Sequence, residues 1–182
     1  MKERKYKEDW ANETRFDARG KEKRVPVYRG PLFSLPSGQD KRKLLLSALL
    51  PWALYLILIL LYFRLDFPGA RVLYVFLPAA LGLFPCVYWA MGIWGVYRAP
   101  DRMTRLQKEN GIGRVLRSAA GCTVCSAAAL VGEAVFLISS GDASREWPGL
   151  LMLAASAALA FTAASRYRAL HHHLSEERSA CS

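Results

Sequence analysis

Four long apolar runs, roughly 44–63, 72–97, 118–140 and 148–165, alternate along the chain with short charged connections. They lack the one-sided stripe of a soluble amphipathic helix, in which polar residues interrupt every turn. About 20 apolar residues, rising about 1.5 Å each, cross a hydrocarbon core of about 30 Å. The pattern predicts an all-α, polytopic membrane protein. Its four transmembrane helices, about 44–63, 72–97, 116–140 and 148–168, form two antiparallel hairpins within a domain of residues 44–170.

The first and last stretches have a different texture. Residues 1–43 read as a basic, partly disordered tract whose first half could form a frayed helix. Within it, Val25–Pro36 carries three prolines, each of which lacks an amide donor and holds its predecessor extended. The peptide also carries Tyr28, Leu32, Phe33 and Leu35, more apolar surface than a linker needs. It is expected to dock on the headgroup layer, on the cytoplasmic ends of the chain's own helices, or on a partner. Between the second and third runs, Asp101 is expected to cap a short interfacial helix over 102–109, ended by Asn110 and Gly111. Residues 171–182 form a tail.

Charge orients this arrangement. The net charge of +10 coexists with 53% hydrophobic residues because the two are segregated. Lys and Arg number 13 in residues 1–43, 6 in 98–117 and 3 from Arg166 onward, while the other two connections hold only Arg64, Arg71 and Arg145. Positive charge is retained on the cytoplasmic side, so both termini and the middle loop are expected there. The polar tract ahead of the first run argues for an uncleaved anchor rather than a signal peptide. Economical loops suggest a bacterial plasma (inner) membrane. Because topology accounts for the positive charge, nucleic-acid binding is not inferred, although the basic tract could meet anionic lipid headgroups.

Candidate chemistry concentrates in the third run. Gly121, Cys125, Ala129 and Glu133 recur every four residues, with Cys122 and Ser126 beside them, and make one stripe along a helix. Small residues at that spacing admit a second backbone. The expected recipient is the fourth run, where Ala154, Ala158 and Thr162 repeat likewise. Glu133 is the intramembrane polar candidate, since a carboxyl in hydrocarbon is costly and often functional. The second run, with Pro78, Pro85 and several glycines, should be kinked, and the leucine-rich first run should be the most lipid-exposed.

The pair Cys122-Thr123-Val124-Cys125 resembles the thiol motif of membrane oxidoreductases that join a four-helix bundle to a quinone, which would imply thiol redox chemistry. Those enzymes use external pairs, whereas topology puts Cys122 and Cys125 near the cytoplasmic end, so small-residue packing is the reading adopted. Three consecutive histidines, His171, His172 and His173, point in different directions on a helix and form no tetrahedral metal site. No metal, cofactor or catalytic set is assigned. The expectation is a non-catalytic accessory or scaffold subunit with a membrane-protein partner or self-association. The alternative is a homo-oligomeric transporter or channel using Glu133.

Overall fold

A computed structural model describes residues 9–16, 22–34, 40–65, 67–100, 102–140 and 143–177. The chain is mostly helical, and four of its helical stretches are long and apolar enough to cross a membrane: Lys41–Arg64, Leu73–Arg98, Arg105–Ser140 and Glu146–His173. The first is helix α1 (Lys41–Arg64) and the second comprises α2 (Leu73–Leu81) and α3 (Leu83–Arg98). The third runs from α4 (Arg105–Lys108) into α5 (Arg114–Ser140), and the fourth lies within α6 (Ala143–His173).

Around the bundle, α1 packs on α3 and α6, while α5 packs on α2, α3 and α6. Helices α1 and α5 therefore stand diagonally across the centre. The α5–α6 pair has the most extensive interface, and α1 has the smallest buried share of the four spans, 17% against 28–33% for the others. The seam on α6 nevertheless differs from the expected one. Leu153, Ser156, Ala160, Ala163, Tyr167 and Leu170 are buried, whereas Ala158 and Thr162 are exposed and Ala154 is half-buried. Alanines occur on every face of this helix, so four-residue spacing fitted several stripes equally. The bulky Leu153 and Tyr167 mark the packed one.

The second span breaks at Gly82, between α2 and α3. Pro85 explains the position: its ring crowds the carbonyl four residues earlier, that of Leu81, and supplies no amide to it. The expected stop at Asn110–Gly111 is absent. The chain continues through a wider turn, Glu109–Gly113, into α5. Gly111 instead serves close approach, because a Cβ at Gly95 would lie 2.9 Å from the Asn110 carbonyl oxygen and 3.2 Å from Gly111 Cα. The short helix itself starts later than expected, at Arg105, behind a strand. Thr104 caps it in a reciprocal box with Gln107, each side chain bonding the other's backbone amide. Asp101 lies outside the described residues.

The N-terminal tract also departs from a frayed helix. Strands β1 (Trp10–Phe16) and β2 (Glu22–Tyr28) pair antiparallel, Ala11 opposite Val27 and Glu13 opposite Val25. Alternation accounts for this: Val25 and Val27 turn to one face, Arg24 and Pro26 to the other. Strand β3 (Leu32–Ser34) then lies between β4 (Arg102–Thr104) and β5 (Ser175–Glu177). This small sheet gathers three distant parts of the chain at one end of the bundle, the sheet end. The turn from Phe67 to Val72 and the start of α6 mark the opposite, loop end.

Candidate functional site

The polar interior begins on α1, whose leucine-rich surface hides one inward stripe: Leu44, Ala48, Tyr55, Ile59 and Tyr62. Tyr55 and Tyr62 are seven residues apart, two helical turns, and so point the same way. On α5, Ser126 and Glu133 keep the same interval. The Tyr62 hydroxyl donates to Glu133 Oε2 at 2.9 Å, and the Tyr55 and Ser126 hydroxyls bond at 3.2 Å. These two rungs cross the bundle between the diagonal helices, where only a long side chain reaches.

Glu133 is wholly buried and does not stand alone. The carboxyl of Glu146, 2% exposed near the start of α6, is buried at the same end of the bundle. The backbone amide of Gly69 donates to Glu146 Oε2 at 3.3 Å. Gly69 belongs to a turn of 3-10 helix, Gly69–Arg71, that folds into the loop end with Phe67 and Ala70 buried beside it. A Cβ at Gly69 would stand 2.4 Å from Glu133 Oε2, so any other residue there would have to displace that carboxyl from Tyr62. Glu133 Oε1 has no hydrogen-bond partner.

Glu133 is therefore not the only buried carboxyl among the described residues. Glu146 lies ahead of the expected fourth helix, 148–168, but α6 starts at Ala143 and carries Pro148 inside it. Tyr55, Tyr62 and Gly69 were missed as well. The signal available was the matched seven-residue interval of Tyr55/Tyr62 and Ser126/Glu133.

The small-residue stripe of α5 faces the centre and the broken span. Cys122, Ser126 and Ala129 are buried, Gly121 and Cys125 half-buried. A Cβ on Gly121 would meet Pro85 Cβ at 3.1 Å. The Cys122 thiol points to the Gly82 carbonyl at 3.7 Å. Cys86, Cys122 and Cys125 are free thiols. Trp52 Nε1 donates to the Cys86 carbonyl at 3.0 Å and the Tyr167 hydroxyl to the Leu44 carbonyl at 2.9 Å, binding α1 to α3 and to α6. Hydroxyls of Ser118, Thr123, Ser156 and Thr162 bond carbonyls three or four residues back on their own helices.

The proline-rich peptide docks on the chain itself. Phe33 is buried beneath the Lys108 ammonium, 4.3 Å from its ring centre, and pairs across the sheet with buried Met103. The Tyr28 hydroxyl donates to the Pro31 carbonyl and accepts from the Arg105 amide. Leu32 is half-buried, and Leu35 lies outside the described residues. Close by, Glu109 bonds Arg117 at 3.3 Å and His171 at 3.4 Å, and Lys41 donates to the Ala99 carbonyl. Among the described residues no three His, Cys, Asp or Glu side chains gather as a metal site.

The chain matches no protein-family model, no curated protein and no solved structure.

Proposed function

We propose that this chain is a non-catalytic, multi-pass protein of the bacterial inner membrane, its spans forming two antiparallel hairpins with both termini and the sheet end cytoplasmic, and that it serves as an accessory or scaffold subunit of a membrane assembly. The observation that carries this reading is where the polar groups of the helices go. Tyr55, Tyr62, Trp52 and Tyr167 brace helix to helix, and hydroxyls close on their own backbone, while large apolar side chains such as Leu50, Phe84, Val124 and Phe161 cover the outside. In lipid every buried polar group needs an internal partner, and this bundle supplies one to most of them, Trp89 Nε1 and Glu133 Oε1 excepted. Its small sheet lies at the sheet end, and 22 of the 25 Lys and Arg fall in sequence segments assigned to the inner side.

The test is native mass analysis, combined with crosslinking in intact membranes. A mild-detergent preparation should carry a stoichiometric membrane-protein partner or form a defined oligomer. A monodisperse monomer with no crosslinked neighbour would overturn the proposal.

The orphan oxygen of Glu133 favours a second reading. A carboxyl pair closed by Gly69 at the outer end is a place where a proton or cation could pause in a homo-oligomeric transporter or channel. That reading requires a flux in reconstituted vesicles that Glu133→Gln removes.

A further inference from the structure

A groove of about 520 Å³ runs between α5 and α6 near the sheet end. Its walls are Ala120 and Val124 of α5 with Phe161 and Ala164 of α6, and its rim carries Arg168, His172 and His173. Thr123 and Ser165 also line it, but their hydroxyls bond the carbonyls of Ala119 and Thr162, so they offer a ligand little. The cleft is thus apolar along its length and basic at one end.

We infer that this groove is a binding site for an anionic phospholipid, one acyl chain lying along Val124 and Phe161 and the phosphate meeting Arg168, His172 and His173. Charge chooses the occupant. Arg168 is exposed and makes no ion pair with a described residue. The nearby carboxylate of Glu109 is occupied by Arg117 and His171. Basic clefts between membrane helices on the cytoplasmic side suit acidic headgroups, and a guanidinium bonds phosphate oxygens in pairs. A zwitterionic lipid would offer the same chains but would set its own cation against this rim. The volume lies within the range of about 300–1,000 Å³ common to small-ligand sites, enough for part of a lipid whose remainder stays in the bilayer.

The inference rests on the membrane reading, which flotation of the full chain with phosphatidylcholine vesicles tests separately. For the site itself, the full chain in mild detergent is mixed with dioleoylphosphatidylglycerol or dioleoylphosphatidylcholine and retained lipid is counted by native mass spectrometry. Phosphatidylglycerol should be retained and phosphatidylcholine not. Arg168→Ala should weaken retention about fivefold, as expected for one basic group near the surface. Val124→Trp, filling the groove from an exposed position, should weaken it without touching the charge. Soluble glycerol phosphate in excess should not compete. Equal retention of the two lipids, unchanged retention in either variant, or displacement by glycerol phosphate would overturn the proposal.

Discussion

The two ends of the bundle solve opposite problems with the same chain. At the loop end, two carboxyls and a tyrosine are sealed inside by a glycine turn, and each polar contact is made inward. At the sheet end, Arg168 stays exposed, and closure comes from backbone-close helix packing and three short strands. A buried carboxyl is costly unless bonded, so the loop end depends on a few specific atoms. The sheet end depends on shape. Function is accordingly sought in recognition at the sheet end, and structural specificity at the loop end.

The strongest way to break this contrast is to attack shape. Gly95→Leu would push a side chain into the Asn110–Gly111 backbone, where neither side can yield, and should cost about 1–3 kcal/mol or more. Thermal unfolding in detergent should show a large fall in midpoint or loss of folded protein. An unchanged midpoint would remove the close-packing account of the sheet end.

Next comes the loop end's dependence on single atoms. Tyr62→Phe deletes the donor to a buried carboxyl and should cost about 1.5–3 kcal/mol. Tyr55→Phe removes a hydroxyl-to-hydroxyl bond, and comparable contacts between membrane helices average about 0.6 kcal/mol. Unfolding midpoints should rank the variants in that order. Equal losses would mean that the carboxyl does not set the loop end apart.

The smallest effect should follow Phe33→Ala. It releases β3 from Met103 and Lys108, so proteolysis before Lys41 should quicken while the bundle's midpoint stays within a degree or two of the parent. A fall comparable with that of Tyr62→Phe would make the docked peptide part of the bundle's stability.

Much of the architecture was legible because long apolar runs fix the length and composition of whole helices. The four helical stretches long and apolar enough to cross a membrane, the broken second one and the exposed first one all follow from that pattern. What stayed hidden depends on azimuth and on ends. The α6 seam was read from the wrong stripe because alanine at every position leaves the face undetermined until Leu153 and Tyr167 are placed. Tyr55 and Tyr62 sit in a leucine-rich helix whose apolar pattern marks no inward face, yet both reach the centre. Glu146 looked like loop because Pro148 suggested a helix start that lies five residues further on than the true one. The strands at 10–34 were masked by their charge, although Val25-Pro26-Val27 carried the alternation.

The central claim is that Glu133 braces the bundle rather than carrying an ion across it. The most direct measurement is proton flux into proteoliposomes under an imposed potential, for the parent chain and for Glu133→Gln, in which the amide oxygen can still accept from Tyr62. The account predicts the same background leak from both, with matched unfolding midpoints. A flux in the parent that Glu133→Gln abolishes, with the fold intact, would contradict it.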